Sequence, residues 1–357
     1  MNKWDELDVE KIEPMEMTQL EKKRIEQHVK QQAPKKRRVG KVGVLVASAA
    51  IAGFSLVGAS FASPTVASQL PFMENIVSYF ADTDASHEAK SHHGKALYAK
   101  AETKDATIFV DRAVFDGKTA TIYYGIELAK PTDATSVDIL SSPHAKGSLG
   151  QSGTGYIERI DDRHFVGVDT VTLLDDPNKN EETISLKWKI DELGLYNEAL
   201  DRTDTIKGKW RLSFDVQAEE AMTTPLTEVS EQSGVTVQLQ ALDQTAVSTT
   251  LTYFTKTTEE AAAKGEPMKG VSYDVFGNEE PLEELAPIEP ILHISDDLGN
   301  EYTIDAGGGT SDGDGPMYHI ATFEPLDPKA TTLTIEPYIH EWDEKMKPIT
   351  IDLTKIK

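Results

Sequence analysis

The chain has no cysteine among its 357 residues. Disulfide scaffolds, thiolate zinc sites and cysteine nucleophiles are excluded together, while the compartment is left open. Basic charge is scarce as well. The 36 Lys and Arg stand against 60 Asp and Glu, a formal net charge of −24. Phosphate contacts draw on an excess of Lys and Arg, so the balance argues against direct nucleic-acid binding. At 39% hydrophobic and 27% charged residues, the chain is too apolar to be disordered throughout and too polar for a multi-span transporter.

Catalytic signatures are missing too. There is no S-x-x-K and no H-E-x-x-H. The run GQSGT (150–154) has Thr154 where a nucleophile elbow needs its last glycine. The glycine-rich AGGGTSDGDG (306–315) neither follows a parallel strand nor opens a capped helix, so it is expected to be a mobile hairpin tip rather than a phosphate loop. Asp312 and Asp314 within it echo a calcium loop, but no acid stands at the spacing an EF-hand requires. The acid pairs at 161–162 and 296–297 read as turn formers, not as glycosidase carboxylates. His87, His92 and His93 cluster in a stretch that reads as linker, which offers no supporting shell for a metal. The expectation is a protein without catalytic, cofactor-binding or metal residues.

Charge is absent altogether from residues 42–63, VGVLVASAAIAGFSLVGASFAS. As a helix these rise roughly 33 Å, enough to cross a hydrocarbon core. Residues 1–41 hold 11 bases and 8 acids, a net +3, and everything after residue 63 is net −27. Lys35, Lys36, Arg37, Arg38 and Lys41 precede the apolar run, and no base follows it until Lys90. By the positive-inside rule these five residues set the topology, with the N-terminus cytoplasmic and the C-terminal region extracytoplasmic. A cleaved signal peptide competes with this reading, since small residues follow the run. Its n-region and apolar core would both be unusually long, which favours an uncleaved single-pass anchor in the plasma membrane.

The tail, residues 1–41, is too short to bury a core of its own. Thr18 and Glu21 form a capping box, and a helix is expected to about residue 32, before Pro34. Trp4, Leu7, Ile12, Leu20 and Ile25 are placed to order on a cytoplasmic protein partner. A plain tether, with its basic end on anionic lipid, is the other reading. Residues 64–95 read as a juxtamembrane stalk, in which the apolar residues of 71–80 suggest a short helix on the ectodomain or the membrane interface.

From residue 98 the hydrophobic period is two. ATIFVDRAVFDGKTATIYYGIEL (106–128) is a hairpin turning at Asp116-Gly117. KWRLSFDVQ (209–217) alternates cleanly, DELGLYNEAL (191–200) reads as a short helical insert, and DDLGN (296–300) marks a further hairpin. The fold class expected is mainly β: two tandem β-sandwich (immunoglobulin-like) domains over 96–219 and 220–357, after the tail, the transmembrane helix and the stalk.

KKRR (35–38) before a single span, ASPTVASQLPFMENIVSYF (62–80) beyond it and the 106–128 hairpin together resemble one family: the anti-sigma-factor-like membrane proteins of Gram-positive bacteria that carry domain of unknown function 4179. The second β region, with its DDLGNEY hairpin (296–302), is similar to the β-rich C-terminal domain that accompanies it. The resemblance implies a single-pass regulator whose tail holds an extracytoplasmic-function sigma factor while the ectodomain senses an unidentified ligand. The tail lacks the H-x-x-x-C-x-x-C motif of zinc-binding anti-sigma proteins, so any such hold uses a different element. A membrane-anchored adhesion or wall-binding module with no signalling role is the alternative.

Overall fold

The computed structural model describes residues 76–83, 87–176, 178–264, 268–273, 279–284, 288–311 and 316–356. The tail with Trp4, Leu7, Ile12, Leu20 and Ile25, the basic flank and the apolar run 42–63 lie outside them. Among the described residues no helix is long and apolar enough to cross a membrane. The described residues all fall within one compact unit.

The first region opens with two short helices, α1 (Ile76–Thr83) and α2 (Glu88–His92). Ten strands follow: β1 (Lys95–Glu102), β2 (Ala106–Phe115), β3 (Thr119–Leu128), β4 (Ser136–Asp138), β5 (His144–Ala145), β6 (Gln151–Ser152), β7 (Gly155–Arg159), β8 (His164–Leu173), β9 (Thr183–Asn197) and β10 (Arg202–Gln217). Sheet 1 runs β1-β2-β3-β8-β6, with β7 also on β8, and sheet 2 runs β10-β9-β4, with β5 also on β9. The sheets share one core, in which Ile108, Val110, Ile122, Tyr124 and Phe165 of sheet 1 meet Leu186, Trp188, Trp210, Leu212 and Phe214 of sheet 2. The β2–β3 hairpin turns at Asp116-Gly117, where Gly117 takes a φ of 101° that a side chain would strain.

The helical insert expected over 191–200 is strand over 191–197, and only Glu198–Leu200 form a single 3-10 turn. β9 continues to Asn197 and pairs with β10, Leu193 opposite Ile206 and Leu195 opposite Asp204. Its inward set changes from even positions (Ile184, Leu186, Trp188, Ile190) to odd ones (Leu193, Leu195), and β10 has a register shift at the same level. An alternation broken by a bulge looks like a strand end when only the sequence is read.

The second region begins with β11 (Met222–Pro225), β12 (Val229–Gln232), β13 (Val235–Gln244) and β14 (Thr249–Thr257). Then come α3 (Glu259–Ala262), β15 (Met268–Tyr273), β16 (Glu279–Glu284), β17 (Ile291–Asp296), β18 (Glu301–Tyr302), β19 (Ala306–Thr310), β20 (Met317–Phe323), β21 (Thr332–Ile339), β22 (Glu344–Lys345) and β23 (Ile349–Asp352). Sheet 3 runs β11-β13-β14-β20-β19, with β12 also on β13. Sheet 4 runs β18-β17-β21-β22, with β23 also on β21, and β15 and β16 pair apart. Val237, Leu239, Leu251 and Phe323 of sheet 3 pack against Ile294, Leu333, Ile335 and Ile351 of sheet 4. The described residues are therefore mainly β, with a core between the sheets of each region and a third apolar cluster under α1.

Two expectations change here. In the stalk only the stretch read as linker changes, since Glu88–His92 is helical and His87 and Lys90 are buried, whereas the short helix expected on the ectodomain is α1. Ile76, Val77 and Phe80 of α1 are buried on the outer face of sheet 1, against Phe109, Tyr123, Val166 and Val168. Sheet 1 is apolar on both faces, and α1 covers the face that sheet 2 does not. Residues 306–310, expected in a hairpin tip, are the edge strand β19, paired along β20. The absence of side chains at Gly307, Gly308 and Gly309 serves a close approach. A Cβ on Gly308 would stand 2.4 Å from the Ser152 hydroxyl of the first region.

Candidate functional site

The turn after β2 projects charged side chains toward β14, whose threonines Thr249, Thr250, Thr252 and Thr255 are all buried. Asp116 Oδ1 accepts the Lys118 N–H at 2.9 Å and the Thr119 N–H at 2.7 Å, which closes the turn. Its Oδ2 accepts the Ser248 hydroxyl at 2.7 Å, across to the second region. Lys118 Nζ donates to Thr252 Oγ1 at 3.2 Å and pairs with Asp243 at 3.2 Å, both side chains 3% exposed. The Thr119 hydroxyl links to Thr172 and, at 3.1 Å, to Thr322. The Ser152 hydroxyl donates to the Gly307 carbonyl. A buried charge pair returns little net stability, but it tolerates few alternative arrangements, so this network fixes one docking of the two regions.

The α1–α2 segment is tied to the same place. His87 Nδ1 lies 2.8 Å from the Tyr123 hydroxyl, and Lys90 pairs with Asp305 at 3.2 Å. Tyr79 donates to Glu158. The buried carboxyl of Asp111 faces the Val77 N–H at the start of α1. Burial pushes its pKa up to about 6, against the pull of Arg112 and of that N–H. Asp169 is also raised to about 6 by burial, opposed by its hydrogen bond with Tyr124.

Between these anchors lies a cavity of about 220 Å³. Thr119, Thr121 and Val168 of the first region and Val247, Ser248 and Thr322 of the second line it, with His87 and Lys90 from α2 and its approach. Both regions and the segment leading from α1 thus contribute walls to one space.

Residues 35–128 match DUF4179, and residues 222–357 match DUF5643. The first is described as a domain of unknown function, the second as a family of unknown function. The DUF4179 match starts at the basic flank, crosses the apolar run and ends with β3. It therefore contains α1, α2 and the Asp116 turn. The DUF5643 match covers the second β region from β11 onward. Among solved structures, the crystal structure of a conserved domain protein from Bacillus anthracis superposes with a TM-score of 0.58 at 21% identity, covering 73% of this chain and 92% of that one. That likeness is one of fold. Bovine butyrophilin aligns over 67% of this chain and 92% of its own at 10% identity, with a TM-score of 0.18, too low for any argument. No curated protein matches the chain.

The three stalk histidines do not converge. His87 is buried at the cavity, His92 is exposed, and His93 faces Glu219 at 3.5 Å. Among the described residues no group of three or more potential ligands gathers. The acid pairs form turns. Asp161 accepts the N–H groups of Arg163 and His164, and with the His164 ring bonded to it its pKa is lowered to about 2. Asp297 holds the Thr331 hydroxyl and the N–H groups of Thr331 and Thr332, with the same result. The sequence marks Asp116 only as part of a hairpin turn and misses Lys118, Thr121 and Asp243. The one signal available for them was the threonine run of β14, which reads equally well as an ordinary strand.

Proposed function

We propose that the protein is a single-pass membrane regulator resembling an anti-sigma factor, with its tail in the cytoplasm and its β regions outside as a sensing ectodomain. The observation that carries this is the extent of the DUF4179 match: one family unit joins the basic flank and the apolar run to α1 and the first three strands. A passive anchor needs no such joint. Here the chain leaving the apolar run reaches, within about a dozen residues, a helix buried in the ectodomain, which is the connection a sensor requires.

On the inner side, Trp4, Leu7, Ile12, Leu20 and Ile25 hold an extracytoplasmic-function sigma factor by ordering on it. Each large side chain buried on a partner returns roughly 1.5–3 kcal/mol, against an ordering cost of about 1–2 kcal/mol per residue. Affinity therefore rests on a few anchors, Trp4 first among them. The capping box at Thr18 and Glu21 lowers the ordering cost by biasing the helix beforehand.

The test is capture of an extracytoplasmic-function sigma factor by the full chain solubilised from membranes. Trp4→Ala with Leu20→Ala should abolish capture and leave insertion intact. Capture should persist at raised salt, unlike the salt-sensitive binding of a lipid tether. Protease added to intact protoplasts should remove residues beyond 63 and spare the tail. Capture unchanged in the double variant would refute the proposal.

A further inference from the structure

The cavity between the two β regions has the character of a binding site, and we propose that it takes a neutral, hydroxyl-rich ring of about monosaccharide size. This assignment stands apart from the sigma-factor reading and needs nothing from the tail.

Size comes first. About 220 Å³ is more than ten times the roughly 10–15 Å³ that one water needs on such a measure. It falls below the ~300–1,000 Å³ of sites for drug-sized molecules. A single small ring fits that interval.

Charge comes next. The ionic groups on the wall are Asp116, Asp305 and Lys90, a formal excess of one negative charge. None is left over for a ligand. Asp116 spends both oxygens on the Lys118 and Thr119 N–H groups and on Ser248, and Lys90 and Asp305 pair with each other. An anion would meet net repulsion, and a cation would have to break an internal pair. Neutral ligands face neither cost.

The open lining is mostly apolar, and the polar groups left open on it are hydroxyls. Thr121 on β3 is 4% exposed and sits on the cavity wall. Thr154 precedes β7 and Thr303 follows β18, both solvent-exposed and both on the same wall. None of these three hydroxyls has a hydrogen-bond partner among the described residues. A hydroxyl both donates and accepts, so three of them converging from different elements complement a ligand that does the same at several positions. Tyr156 also lines the cavity, 44% exposed, its ring held edge-on by Phe80 at 5.6 Å. Val168, Val247 and Ala306 add apolar surface to the lining. Hydroxyls interspersed with an aromatic ring and methyl groups match a pyranose, which carries both hydroxyls and C–H groups, better than a polar ion or a hydrocarbon.

The test uses the full-length chain in micelles of a sugar-free detergent, with D-glucose and N-acetylglucosamine as probes in saturation-transfer NMR and sodium phosphate as the anionic comparison. Saturation should reach the ring protons of at least one sugar at millimolar concentration. Thr121→Val, which keeps shape and removes the hydroxyl, should weaken binding about threefold to tenfold. Thr303→Trp, on an exposed position at the wall, should abolish it without cost to folding, as an unchanged melting profile would verify. No transfer from either sugar, transfer undiminished in Thr303→Trp, or displacement of the sugar by phosphate would each overturn the proposal.

Discussion

Replacing Phe80 with alanine should detach α1 from the ectodomain while leaving the sandwich behind it folded. Phe80 is fully buried, with its ring centroid 5.9 Å from Tyr123, 5.8 Å from His87 and 5.6 Å from Tyr156. Truncating a buried Phe to Ala costs about 3–5 kcal/mol. The helix has eight residues and only two other fully apolar anchors, Ile76 and Val77. Each of those returns roughly 1.5–3 kcal/mol, against ordering costs of about 1–2 kcal/mol for every helical residue. Docking is therefore a small difference between larger quantities, and the loss of Phe80 exceeds it. The damage should stay local, because the core between sheets 1 and 2 does not include Phe80. Hydrogen exchange read by mass spectrometry on the full chain should show residues 76–92 losing protection, while β9 and β10 exchange as in the wild type. Wild-type protection of 76–92 in the variant, or a joint collapse of β9 and β10, would refute the reasoning.

Three further outcomes follow from the same geometry. Asp111 and Asp169 are held up at about 6 by burial, so the folded state binds protons there that the unfolded chain has already released. Their contribution is full below about pH 4 and is lost as pH rises through 6, on the order of 2–3 kcal/mol each; the urea midpoint of Asp111→Asn/Asp169→Asn should therefore gain on the wild type between about pH 4 and 7, and a constant difference would contradict it. Asp116→Ala strands the Lys118 and Thr119 N–H groups and the Ser248 hydroxyl and should cost about 3–5 kcal/mol, whereas Asp116→Asn keeps an acceptor for the turn and should cost about 1 kcal/mol, both read from chemical unfolding. Gly308→Val places a Cβ against Ser152 and should separate the two regions, seen as a second unfolding transition and as more rapid proteolysis between 217 and 222.

Local order was legible before any coordinates. Alternation at Trp210, Leu212, Phe214 and Val216 follows from the two-residue repeat of a strand, and each of these side chains is buried. Asp116-Gly117 and DDLGN announce their turns because an aspartate accepts nearby N–H groups and glycine takes a positive φ, both properties of a few neighbouring residues. The charge partition around 42–63 is likewise a property of composition.

Only the tertiary structure decided what meets what. The order of strands within each sheet is not fixed by their number, and the immunoglobulin-like label rested on number alone. The adjacent Tyr123 and Tyr124 point to opposite faces of β3, one toward α1 and one toward sheet 2, and nothing nearby in the chain says that both faces are covered. Thr121, Thr154 and Thr303 reach one cavity from positions up to 182 residues apart. Threonines of this kind are unremarkable until packing brings them to one wall. Burial is set by surfaces distant in sequence, so the turns could be read from the chain and the site could not.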